Sequence, residues 1–251
     1  MDILKLKNIS FSYNSKPFVK NLSLSLGEGE LVGIFGSNGS GKTTILKLSS
    51  GILNPKEGSV DLWERDMTSY KGVDRAKLIS YLPQVLTQGV PFTVREVVTM
   101  GSYPLSKGIF DSGAHEMTLD ESLKTVGLEG KKDSYLAELS GGELRRVFVA
   151  MTLLQGARIV LLDEPFANLD IKYQMGILSL LKTLRDEKNF TIMMAVHDLN
   201  LMRQFDRVVF IKEGSIVTSG APDDVLTPEL LSDVYEIPIE LANSVHPIDP
   251  L

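Results

Sequence analysis

Nine consecutive residues, Gly36-Ser-Asn-Gly-Ser-Gly-Lys-Thr-Thr44, meet the spacing G-x-x-x-x-G-K-[ST] through Gly36, Gly41, Lys42 and Thr43. Glycines at these places let the loop wrap, so that successive backbone N–H groups from Gly36, Ser37, Asn38, Gly39, Ser40 and Gly41 face a triphosphate. Lys42 is placed to reach β- and γ-phosphate oxygens, and the Thr43 hydroxyl is placed to ligate Mg²⁺. The apolar run Glu30–Phe35 precedes the loop and a helix over Lys42–Ser50, containing Thr44, follows it. The N-terminal dipole of that helix favours an anion.

Two further stretches carry chemistry. Ile159-Val-Leu-Leu-Asp-Glu-Pro165 is a buried-type strand ending in two carboxylates. Carboxylates at the C-terminal end of a parallel strand lie on the edge where ligands bind. Asp163 is placed to hold Mg²⁺ directly or through water, and Glu164 to orient and deprotonate an attacking water. In Leu139-Ser-Gly-Gly-Glu143, Ser140 and Glu143 make a capping box ahead of a helix over Leu144–Leu154. Its N-terminal N–H groups, the close approach that Gly141 and Gly142 allow, and a free hydroxyl suit a second anion contact.

These groups need a scaffold. Ile3–Ile9 and Leu22–Leu26 alternate apolar and polar residues and read as antiparallel strands joined by a turn near Asn14–Pro17; Gly58–Leu62 and Ile79–Leu82 are further strands. Between Phe92 and Gly156 the pattern is mainly helical. Thr93 and Glu96 form a capping box for a helix toward Met100, Gly101–Gly113 reads as a loop, and Leu119–Val126 is a helix stopped by Gly127. Strands return at Ile159–Leu162, Thr191–Val196 and Val208–Ile211, with a helix over Ile171–Lys188. Continuous apolar strands alternating with helices indicate a parallel sheet covered on both faces. A short helix over Pro228–Tyr235 precedes a Pro-rich end.

At 251 residues the chain is long enough for a sizeable core. No apolar run approaches the ~20 residues of a membrane helix, and the N-terminus lacks a signal peptide's basic start and apolar core, so a cytosolic chain is expected. The absence of cysteine excludes disulfides and thiolate metal sites. A formal net charge of −6 argues against a nucleic-acid partner.

Taken in order, the motifs resemble those of the nucleotide-binding subunit of an ABC transporter over nearly the whole chain. In that family Gly36–Thr43 is the Walker A loop, Leu139–Glu143 the LSGGQ-type signature and Ile159–Glu164 the Walker B strand. The resemblance implies an α/β fold: a P-loop NTPase (RecA-like) core with an antiparallel β subdomain (1–83 and 157–220), an inserted α-helical subdomain (84–156) and a C-terminal tail (221–251). It implies that Tyr13 stacks on adenine. Gln84 contacts Mg²⁺ and the attacking water, His197 contacts the γ-phosphate and holds Glu164, and Asn168-Leu-Asp170 forms the D-loop. The catalytic set is then Glu164, His197, Gln84 and Lys42, and the metal set Thr43, Gln84 and Asp163, with ATP and Mg²⁺ as ligands.

Two copies would face each other head to tail, Ser140, Gly141, Gly142 and Glu143 of one chain meeting the ATP held by the other. The implied partners are a membrane permease and, indirectly, an extracytoplasmic substrate-binding protein, with the chain peripheral on the cytoplasmic face of the membrane. Phe92–Pro104 and Gly220–Leu231 resemble stretches of iron–siderophore, haem and cobalamin importer ATPases. About thirty residues follow Gly220, so no sizeable regulatory domain of the sugar-importer kind is expected.

There are departures from the family pattern. The signature has Glu143 for glutamine and Leu144 for a frequent polar residue, Trp63–Asp66 lacks the glycine often found near Glu64, and the D-loop begins Ala167-Asn168 rather than with serine. The other reading is a soluble ABC-type ATPase acting on nucleic acid or ribosomes, a class that usually shows a long coiled-coil insertion or tandem cassettes; this sequence shows neither. A P-loop kinase or GTPase is disfavoured by the signature and by the lack of an Asn-Lys-x-Asp guanine reader.

Overall fold

The computed structural model describes residues 1–14, 16–84, 91–104, 117–167 and 169–239. Its first strands are β1 (Asp2–Phe11) and β2 (Val19–Gly27), which pair antiparallel, followed by β3 (Leu31–Phe35) and helix α1 (Lys42–Ser49). Next come β4 (Glu57–Leu62), β5 (Arg65–Asp66), α2 (Gly72–Ala76) and β6 (Ile79–Leu82). Helices α3 (Val94–Met100), α4 (Leu119–Thr125) and α5 (Gly141–Leu154) follow, and then β7 (Ile159–Asp163), α6 (Ile171–Lys188), β8 (Thr191–Ala195), β9 (Arg207–Lys212), β10 (Ser215–Gly220), α7 (Pro222–Val225) and α8 (Pro228–Tyr235).

Two sheets result. The smaller has the order β2-β1-β4-β5 and its paired strands run antiparallel. The larger has the order β10-β9-β3-β8-β7-β6; its pairs are parallel except that β10 returns antiparallel along β9. Period-2 alternation splits the parallel strands between two cores. Leu31 and Phe35 of β3, Val160 and Leu162 of β7, and Val208 and Phe210 of β9 face α5, α6 and α8. Val32 and Ile34, Ile159 and Leu161, and Val209 and Ile211 face α1 and the antiparallel sheet. Both sides being apolar, these strands read in sequence as unbroken hydrophobic runs.

Local signals account for the helix starts. Thr93 and Glu96 form the expected capping box of α3, and Thr118 and Glu121 form another at α4. Asp170 caps α6 by accepting from the Tyr173 N–H, and Asn189 ends that helix in the left-handed region. Thr227 caps α8, with Pro228 at its first position. The loop expected over Gly101–Gly113 is a turn through Pro104, and the rest of it lies outside the described residues, as does Asn168. The β5, β10 and α2 elements go beyond what the sequence pattern predicts. Among the described residues no helix is long and apolar enough to cross a membrane.

Candidate functional site

The C-terminal ends of β3, β6, β7 and β8 converge on one cavity of about 690 Å³. Asn38, Gly39, Gly41, Lys42, Thr43 and Thr44 form its floor, Tyr13 and Phe18 one wall, and Gln84, Glu164 and His197 the other. The floor depends on glycine at two positions. Gly36 has φ 153°, and a Cβ there would lie 2.2 Å from the Ile211 carbonyl oxygen; Gly41, the N-cap of α1, has φ 115°.

The loop has the polar capacity a polyphosphate requires. No side chain caps the N-terminus of α1, and no acidic residue sits in its first turn. The Ser40 hydroxyl is buried and has no hydrogen-bond partner among the described residues. Lys42 curls back, donating from Nζ to the carbonyls of Gly36 (2.8 Å) and Ser37 (3.0 Å). Burial lowers its ammonium below the ordinary lysine value, while Glu164 and Asp163 pull it back up. These groups fit the phosphates of ATP. Gly36, Ser37 and Ser40 belong to the loop without lining the cavity, and the Gly36 N–H, expected to face a triphosphate, is instead taken by the Tyr235 hydroxyl, since Gly36 lies at the strand end beneath the loop.

Asp163 is fully buried at the end of β7. The Thr43 hydroxyl donates to its Oδ1 at 3.1 Å, and the Tyr81 hydroxyl donates to its Oδ2 at 3.2 Å. Burial raises the Asp163 carboxyl above its ordinary value, these two hydrogen bonds lower it, and the Glu164 charge raises it further. Burial and the same carboxylate push the Tyr81 phenol well above its ordinary range. Among the described residues no cluster of three or more acidic, His or Cys side chains could hold a metal by itself. A hydroxyl beside one carboxylate, completed by substrate phosphate and water, is nonetheless the oxygen set Mg²⁺ uses in nucleotide sites, so the residues fit that ion.

Glu164 has φ 53°, an uncommon conformation for a residue with a side chain. Its backbone N–H donates to the Ala195 carbonyl at 3.2 Å, and its Oε1 lies 2.5 Å from His197 Nε2. An ionised carboxylate only accepts, so Nε2 carries the proton of this contact. Tyr13 shares a 3.0 Å hydrogen bond with the Thr44 hydroxyl and packs edge-on against Phe11 and Phe18.

The signature residues line no part of this cavity. They form the first turn of α5: Ser140 N–H and Oγ donate to Glu143 Oε2 at 2.9 and 3.0 Å, and Glu143 N–H donates back to Ser140 Oγ at 3.2 Å. Glutamate therefore keeps the box that glutamine would make, and these bonds hold its carboxyl below the ordinary value. Asp170 is likewise outside the cavity, as the N-cap of α6.

Several participants were not legible as site residues. Tyr81 faces Asp163 only because β6 pairs with β7 in register, Tyr81 opposite Leu161. Phe18 lies just ahead of β2, in a turn whose path the sequence leaves open. Tyr235 of α8 accepts from the Gly36 N–H at 3.1 Å, a contact between residues 199 positions apart. Arg145 follows buried Leu144 on α5 and reads as a surface charge, yet it is buried.

Comparisons with known proteins agree with this geometry. A family model described as ABC transporter matches residues 19–167. The petrobactin import ATP-binding protein FpuC of Bacillus anthracis is 32% identical over 242 residues, covering 95% of this chain and 89% of that protein. The uncharacterized ABC transporter ATP-binding protein YvrA of Bacillus subtilis (strain 168) is 36% identical over 236 residues, 93% of this chain, which spans only 53% of that relative's length. Among solved structures, the dimeric post-hydrolysis state of the ATP-binding cassette MJ0796 bound to ADP and Pi superimposes with TM-score 0.74 at 28% identity, covering 87% of this chain and 98% of that one. A phosphate loop, a strand-end acid pair and a capped signature helix on this α/β fold, together with full-length similarity to such cassettes, place the chain in the ABC transporter family as an ATP-binding, ATP-hydrolysing subunit.

Proposed function

We propose that this chain powers an importer of iron–siderophore, haem or cobalamin-type cargo, docked as a peripheral subunit on the cytoplasmic face of a membrane permease. The observation that carries the chemistry is the gathering of the phosphate loop, Glu164 and His197 around one cavity. The cargo class rests on Phe92–Pro104 and Gly220–Leu231 and on the petrobactin importer relative. An extracytoplasmic binding protein would deliver the cargo, and no nucleic acid is involved.

The proposed reaction is attack of water on the γ-phosphorus, forming a P–O bond as the bond to the β-phosphate oxygen breaks. Glu164 accepts the water's proton, and the His197 N–H holds Glu164 in place while reaching the γ-phosphate. Lys42 exchanges its two loop carbonyls for phosphate oxygens, and the α1 N–H groups receive the rest of the charge. Thr43, Asp163 and Gln84 would hold Mg²⁺, which when bound neutralises charge on the β- and γ-oxygens. Tyr13 offers its ring to adenine. A second copy completes the site with Ser140, Gly141, Gly142 and Glu143, and Asp170 lies near the seam.

The test is co-purification with the neighbouring permease in detergent, followed by ATPase assays with a binding protein presented empty or loaded with ferric siderophore, haem or cobalamin. Stimulation by one loaded binding protein supports the importer and names its cargo. A stable complex that no cargo stimulates removes this substrate class. ATP turnover without any permease complex moves the chain to a soluble ATPase role.

A further inference from the structure

Arg145 is the fifth residue of α5 and is 3% exposed. A guanidinium has five N–H donors in a fixed fork, and here each meets a main-chain oxygen. Nη1 donates to the Pro83 carbonyl at 2.8 Å and the Gln84 carbonyl at 3.1 Å. Nη2 donates to the carbonyls of Asp163 and Glu164, the latter at 2.6 Å, and Nε donates to that of Pro165 at 3.4 Å. Burial draws the guanidinium down to about 10, with Asp163 and Glu164 opposing, so it stays charged at neutral pH.

The acceptors are not scattered. One pair lies where the chain leaves β6, and three consecutive carbonyls lie where it leaves β7. Turning three successive carbonyls toward one group is incompatible with an extended strand, and Glu164 makes the break by adopting its left-handed φ. Such a conformation persists only where the surroundings over-determine it. The same break sends the Glu164 side chain to His197 and into the phosphate cavity.

We infer that Arg145 is a positioning residue for hydrolysis, its guanidinium holding the backbones of Glu164 and Gln84 in the arrangement that aims the Glu164 carboxylate into the phosphate cavity. Lysine cannot replace Arg145, because a compact ammonium lacks the planar fork that reaches both strand ends. This inference rests on the reading of Glu164 as the group that orients water.

The experiment is a double-mutant cycle of Arg145→Lys and Glu164→Gln in the full chain. It measures single-turnover ATP hydrolysis, affinity for a fluorescent ATP analogue, and thermal melting. Arg145→Lys is expected to lower the hydrolysis rate about 100-fold, the scale set by a misplaced reacting group, while nucleotide affinity changes less than about threefold. Because both changes act on one group, adding Arg145→Lys to Glu164→Gln should leave the residual rate within about twofold. Losses that multiply overturn the inference. So does a fall in nucleotide affinity or melting cooperativity in step with the rate, in Arg145→Lys and Arg145→Gln alike, which makes Arg145 a fold staple only. If wild type is inactive, or Glu164→Gln turns over like wild type, the reading of Glu164 itself fails instead.

Discussion

Asp163 is a carboxyl placed where the fold disfavours a charge. Burial is the largest effect on its carboxyl and raises it above the ordinary 3.8, despite the Thr43 and Tyr81 hydrogen bonds that oppose burial. The native state therefore takes up this proton more readily than the unfolded chain. Its contribution lowers stability as pH rises from the ordinary carboxylate value through the raised one, and the deficit is full above both. Asp163→Asn removes the charge. It is expected to abolish ATPase activity yet raise the nucleotide-free melting midpoint near about pH 8, where 1 kcal/mol corresponds to about 2–4 °C in a chain of this size. The gain should shrink as pH falls through the raised value and vanish below the ordinary one, where the wild-type carboxyl is protonated in both states. Parallel melts of both proteins across that range check it, and a wild type that melts higher at pH 8 would refute it. The carboxylate itself was legible in the sequence because it ends an apolar strand. Its partner Tyr81 was not, because lateral strand register is invisible in a linear pattern. Arg145 was hidden for a related reason: five backbone carbonyls can bury an arginine, and carbonyls leave no residue-type signal.

Among elements, the β4–β5 hairpin carries a conformational cost. Its two loop residues, Trp63 and Glu64, have φ 47° and 62°, while Leu62 and Arg65 pair across the turn. A two-residue hairpin loop with both φ positive suits Asn-Gly. The absence of glycine near Glu64 is visible in the sequence, and its consequence is this pair of left-handed residues. Glu64→Gly relieves about 1–2 kcal/mol of left-handed strain, partly offset by about 0.5–1 kcal/mol of added flexibility in the unfolded chain. A stability gain of up to about 1.5 kcal/mol is expected, read as a higher urea midpoint at unchanged slope. ATPase activity should not change, since neither residue lines the phosphate cavity; a lower midpoint would show that Glu64 contributes through its 4.0 Å contact with Lys5 instead. Elsewhere, element legibility followed the strength of the end signals. Helices α6 and α8 occupy the spans that their caps and periodicity predict. Edge strand β10, with no buried residue and no alternation in Ser215-Ile-Val-Thr-Ser-Gly220, gives only a weak strand pattern and takes its conformation from pairing with β9.

At the scale of the molecule, the cavity and the signature are separate features of one chain. The phosphate loop, Glu164 and His197 face the cavity, while Ser140 and Glu143 occupy each other at the exposed start of α5. A helix N-terminus with two glycines and a hydroxyl, set apart from its own nucleotide, is suited to meet the nucleotide of a second copy. If ATP joins the two copies, binding and dimerisation are linked, and blocking hydrolysis alone must trap the dimer. Glu164→Gln does this with little change of shape. Its Oε1 still accepts from His197 Nε2, and the amide cannot take a proton from water. The variant is expected to retain ATP affinity, to lose at least about 100-fold in turnover, the scale of one general base, and to elute as a dimer with ATP and Mg²⁺. With ADP, or with Lys42→Ala added, it should return to monomer, because the γ-phosphate is then missing or unheld. Size-exclusion chromatography with light scattering, run alongside a phosphate-release assay, separates the possibilities. A dimer independent of nucleotide would place the subunit contact elsewhere than the signature. A monomer that binds ATP tightly without turning over would mean that the permease, rather than the nucleotide, brings the two copies together.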